Sequence, residues 1–82
     1  MIIHIDRPAG AWRIRKHRAS NGLATYFDVL TARHHAMHDY PDAMEIRIHG
    51  RGPRGGSRMI ADIWTRDTEF SEWKPTNPSS RR

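Results

Sequence analysis

The residues best equipped for chemistry in this chain of 82 residues are arginines and histidines, and the densest group lies around one glycine-rich stretch. Arg47, Arg51, Arg54 and Arg58 put four guanidinium groups within twelve positions, with no acid between Glu45 and Asp62. A guanidinium grips a phosphate or a carboxylate with two parallel hydrogen bonds, which an ammonium cannot do. The intervening Gly50-Arg51-Gly52-Pro53-Arg54-Gly55-Gly56-Ser57 buries nothing and displays its arginines, unless it is a plain connector. Gly50 to Gly55 formally fits G-x-G-x-x-G, yet a proline sits inside it and the chain is too short for a dinucleotide fold. Arg54-Gly55-Gly56 matches a single RGG element of RNA-binding segments, and one copy says little.

The histidines offer two further chemistries. His34 and His38 stand one turn apart on a predicted helix, a spacing that can bind zinc. The zinc-protease pattern needs Glu after the first His, however, and that position is His35; with no cysteine and no third ligand, neither a metal nor a cofactor is expected. A metal-independent ribonuclease could use His17 or His49 as base and Arg47 to stabilise charge, but no spacing singles out a pair.

Several short elements must position these groups. Met44, Ile46 and Ile48 alternate with Glu45, Arg47 and His49, the period of a strand with one buried face. From Ala11 to Arg18, Trp12 and Ile14 point one way and Arg13, Arg15 and His17 the other. Asn21-Gly22 then predicts a hairpin turn, returning Leu23, Thr25 and Phe27 toward the core and Ala24 and Tyr26 outward. Asp28 suits the N-cap of a helix over 29–40, and Pro41 stops it. Met59 to Trp64 fits a strand better than a helix, because Ile, Trp and Thr suit a pleated surface. Ile2, Ile3 and Ile5 suit a short additional strand in front, ended near Pro8 and Gly10. The expected fold class is α+β, a small antiparallel sheet in the order β-β-α-β-β with one helix packed on one face. Residues 1–73 form the single domain, and 74–82 are a polar, proline-broken tail expected to be disordered.

In that fold Arg13, Arg15, Arg47 and His49 share the outer face of the sheet, with Tyr26 among them. Arginines near an aromatic ring on an open sheet can hold phosphates and stack a base; alternatively they pair with Glu45 as an ordinary solvated face. Trp12, Trp64 and Trp73 serve as core, or the last two as an apolar contact patch.

Composition agrees with an anionic partner. Lys plus Arg exceed Asp plus Glu by fourteen to nine, Arg outnumbers Lys twelve to two, and the whole excess of +5 lies in residues 1–58. There is no cysteine, no signal-peptide pattern, and no run near the ~20 apolar residues of a membrane span, so a cytoplasmic protein is expected.

The compact layout, with Trp12 early, Phe27-Asp28 opening a helix and Ile46-Arg47-Ile48-His49-Gly50 after it, resembles the small orphan proteins of phages and prophages, among them anti-CRISPR inhibitors. That resemblance is one of size and style over residues 11–65. It implies a non-enzymatic protein that occupies a surface of a host nucleoprotein complex within the host cytoplasm. Many such inhibitors are acidic DNA mimics; this basic chain points instead to an acidic protein surface or bound nucleic acid. The expected function is therefore an inhibitor-type binding module using Arg13, Arg15, Arg47, Arg51, Arg54, Arg58, Tyr26 and His49, with no small-molecule substrate. Direct DNA or RNA binding is second, and a small nuclease third.

Overall fold

The computed structural model describes residues 1–7, 10–19, 21–50 and 59–76. They build an α+β fold of one mixed six-stranded sheet and one helix. The elements in chain order are β1 (Ile2–Asp6), β2 (Trp12–Lys16), β3 (Ala24–Tyr26), α1 (Val29–Asp39), β4 (Glu45–Gly50), β5 (Met59–Thr65) and β6 (Lys74–Pro75). Across the sheet the order is β3-β2-β1-β4-β5-β6.

The expected antiparallel sheet is corrected at its centre. β1 is no accessory in front of the fold; it lies between β2 and β4 and pairs parallel with β4. Parallel neighbours need a crossover, and the β2-β3 hairpin together with α1 supplies it. Ile3, Ile5, Ile14, Ile46 and Ile48 alternate onto one face and meet Ala32 and Ala36 of α1. Those two alanines, four apart, leave little side chain between helix axis and sheet, so the helix sits close. Asp28 caps α1 as its sequence suggests, its carboxylate accepting hydrogen bonds from the Thr31 N–H at 2.8 Å and from the Thr31 hydroxyl at 2.8 Å.

β3 returns in the opposite sidedness from that expected. Trp12 pairs with Tyr26 and Ile14 with Ala24, so the hairpin centres on Ala19 rather than between Asn21 and Gly22. Among the described residues of the turn, Arg18 has a positive φ, at 65°. An odd offset in register exchanges the faces of every side chain on the returning strand. Tyr26 therefore lies on the helix side, its ring stacked on His35 with centroids 4.6 Å apart. Leu23, Thr25 and Phe27 are exposed, Phe27 almost wholly at 99%. Gly22 passes so close to the Arg13 stem that an added Cβ would lie 2.6 Å from it.

Met59 to Thr65 is a strand, paired antiparallel with β4. Lys74 and Pro75, expected to begin a disordered tail, instead pair with β5. Between them the chain crosses back on the helix side, where the Trp73 indole N–H donates to the Met37 carbonyl at 3.1 Å. Trp12, Trp64 and Trp73 all pack against the core cluster. Among the described residues no helix is long and apolar enough to cross a membrane.

Arg66 fastens this return. Its guanidinium donates to the carbonyls of Ala43, Tyr40, Pro41 and Glu69 at 2.8–3.1 Å and lies 4.5 Å from the centre of the Trp73 ring. It thereby ties the C-cap carbonyl of Tyr40 and the loop that follows α1 to the turn at Glu69. Replacing Arg66 by Ala is expected to destabilise the fold by about 2–3 kcal/mol, because several charge-assisted hydrogen bonds go at once. Arg66→Lys should recover less than half, a single ammonium being unable to span four carbonyls. Urea unfolding of the two variants checks both values; a loss below about 0.5 kcal/mol for Arg66→Ala would make the residue an ordinary surface arginine.

Candidate docking face

Strand alternation turns one half of the sheet's side chains away from α1. In β1 these are Ile2, His4 and Asp6; in β2 they are Arg13 and Arg15, with His17 just past its end. In β4 they are Glu45, Arg47 and His49, and Ile63 and Thr65 of β5 stand opposite Arg47 and Glu45. His4 occupies the middle, with Arg15 across from it on one side and Arg47 on the other. Among the described residues no helix covers this face.

Four of the residues singled out in the sequence, Arg13, Arg15, Arg47 and His49, thus converge. Tyr26 does not, for the register reason given above. Arg51, Arg54 and Arg58 lie outside the described residues. The arginines on the face are not bare cations. Arg13 donates to both oxygens of Asp6, at 3.0 and 3.1 Å, and Arg15 Nε donates to Asp6 Oδ2 at 2.8 Å. Arg47 Nε donates to Glu45. Burial raises the Asp6 pKa, but hydrogen bonds from Arg13 and Arg15, together with their charges, outweigh it and hold the carboxyl below its ordinary value.

At the centre is a feature the sequence reading missed. His4 is only 6% exposed, and both its ring nitrogens are engaged by other histidines. Its Nδ1 lies 2.7 Å from His49 Nε2, and its Nε2 lies 2.7 Å from His17 Nδ1. The three rings form a diagonal row from the end of β2 across β1 to β4, with centroids 5.0 Å apart at each step. Burial pushes the His4 pKa down to about 4, and the neighbouring charges of Arg15, His49, His17 and Arg47 add to the effect. The alternation Ile3-His4-Ile5-Asp6 was the available signal: it places His4 and Asp6 opposite the core face of the same strand.

This arrangement does not resemble a metal centre. The nitrogens that face one another are at hydrogen-bonding distance, on opposite sides of the His4 ring, and do not converge on a common point. Among the described residues no three His, Asp or Glu side chains form a metal-holding set. On α1, His34 and His38 are ring neighbours at 4.4 Å and His35 Nδ1 pairs with Asp39 at 2.9 Å. Among the described residues the face instead presents the guanidinium groups of Arg13, Arg15 and Arg47 beside the row of three histidines.

The lowered His4 pKa fixes a pH dependence. Unfolded, His4 takes a proton below its ordinary 6.5; folded, it resists until about 4. The unfolded state therefore binds the extra proton between these values, and stability falls as pH drops through that window, by up to about 3 kcal/mol. Asp6 adds a loss only at lower pH, since its folded pKa lies below 3.8. Urea midpoints taken across this range should show the slope, and His4→Gln should flatten it while preserving one donor and one acceptor. An equal slope in both proteins would show that His4 is not its source.

Comparison with protein-family models, with curated proteins and with solved structures found no match for this chain.

Proposed function

We propose that this protein is a non-enzymatic binding module of the phage-type inhibitor kind, docking through the open sheet face onto an acidic protein surface, alone or within a host nucleoprotein complex in the cytoplasm. The observation that carries the reading is the convergence of Arg13, Arg15, His17, Arg47 and His49 on one face, away from the helix. Two features favour a protein partner over free nucleic acid. Asp6 and Glu45 already occupy the arginines, so only one positive charge in three remains uncompensated on the described face, which weakens any gain from phosphates. Leu23 and Phe27 also project at the β3 edge, and exposed aromatic surface beside polar groups suits the core of a protein interface.

The test uses the immobilised full chain against bacterial lysate, with and without nuclease treatment. The expected result is one retained protein or complex whose capture survives nuclease and weakens at least about tenfold in the double variant Phe27→Ser, Arg47→Gln. Both positions are accessible, so the fold should change by no more than about 0.5–1 kcal/mol. Oligonucleotides, single-stranded or duplex, should not bind at physiological salt. Oligonucleotide binding whose affinity falls with salt, at a slope of about −0.7 to −0.9 per phosphate neutralised, would replace this reading with direct nucleic-acid binding.

A further inference from the structure

The row His17, His4, His49 obeys a stricter proton count than three separate imidazoles. Four of its six ring nitrogens face one another in two hydrogen bonds, each 2.7 Å long. Every such bond needs one N–H and one lone pair. Two protons therefore belong to the bonds, and any others must sit on the outward nitrogens, Nε2 of His17 and Nδ1 of His49. With all rings neutral there is one such proton. One more fills the second outward nitrogen. A further proton has no place unless a ring-to-ring bond breaks, because neutral His4 has a single lone pair and cannot accept from two protonated neighbours.

The added proton need not stay where it enters. Taken up at the exposed His17 edge, it is followed by a hop of the bonded proton from His17 to His4 and another from His4 to His49. The positive charge then lies on His49, and both ring-to-ring hydrogen bonds are intact.

We propose that the three rings act as one site for one proton, and that the cation so formed anchors a carboxylate of the docking partner. Among the described residues, the groups facing the row are Arg13 and Arg15 from β2, Asp6 from β1, Glu45 and Arg47 from β4, and the uncharged Ile60, Ile63 and Thr65 from β5. Among the described residues, three guanidiniums against two carboxylates leave one positive charge, and the proton adds a second on the row. An anionic ligand therefore binds the protonated form better, and its binding draws the proton on. The carboxylate anchor rests on the docking reading above; the proton count does not.

The experiment follows the imidazole nitrogen signals of the full chain by NMR from about pH 8 to about pH 5, where histidines ordinarily titrate. The expected result is a single common midpoint at His17, His4 and His49, with one proton gained by the three together. His4→Phe should separate His17 from His49, each then gaining its own proton. His4→Gln should still allow only one, because its amide donates once and accepts once. Two protons gained by the wild-type row with the ring contacts intact would overturn the proposal, whether or not His4→Phe folds.

An oligoglutamate peptide then serves as the anionic probe, and should bind about tenfold more tightly at pH 5.5 than at pH 8. Equal affinity at both pH values would remove the carboxylate anchor and leave the proton site standing. Absence of binding at both would overturn the docking reading itself, and the same pH dependence seen with an oligonucleotide alone would overturn the choice of partner.

Discussion

The structure depends on β1 being hydrogen-bonded along both edges and buried on both faces. Ile3 and Ile5 need only apolar neighbours, which β2, β4 and α1 supply. His4 and Asp6 are as secluded, each 6% exposed, but on the side that has no helix. Side chains of adjoining strands must therefore satisfy them in place of water, since a buried polar group without a partner costs about 1–3 kcal/mol. The two arginines of β2, His17 just beyond it and His49 of β4 meet that demand.

The polar centre also fixes the register. In β2, Arg13 and Arg15 meet Asp6 while Ile14 meets the core. A slip of one residue would send Ile14 to the open face and a guanidinium among Ile3, Ile5 and Ile46. Neither half of that exchange is tolerable. A buried ion pair adds little net stability compared with a well-packed apolar pair, yet removing one partner costs about 3–5 kcal/mol, so its worth lies in excluding alternatives. Gly22 takes part in the same arrangement, since its missing side chain leaves room for the Arg13 stem to lie where Asp6 holds it.

What was legible in the sequence was whatever depended on local periodicity. Trp12 to His17 and Met44 to His49 alternate without interruption, and the two faces of β2 and β4 follow from that alone. The N-cap was legible because Asp28 acts on a residue three positions away. The sidedness of β3 was not, because Asn21-Gly22 is a strong local turn signal that tertiary pairing overrode; the ladder instead closes through Arg18 in the left-handed region. The parallel β1-β4 pairing joins segments separated by a hairpin and a helix, and no short-range pattern encodes it. His4 was hidden for the same reason. A lone histidine between two isoleucines gives no sign of His17 and His49, which only the assembled sheet brings to it. Arg66 likewise looks like any charged residue until the end of α1 and the turn at Glu69 surround it.

The face's arginines differ in what they can offer a partner. The buried Asp6 side chain is held by two guanidiniums, so an incoming carboxylate that competed for Arg13 or Arg15 would strand a buried charge. Glu45 and Arg47 are each more than a quarter exposed, and a pair so placed is worth only about 0–1 kcal/mol. Exchange at Arg47 thus costs little, because a displaced Glu45 can turn to water. The same strand carries His49, one end of the histidine row, two residues along and on the same side. The part of the face able to change partners therefore lies along β4, whereas β2 supplies the fixed framework against which β4 is presented.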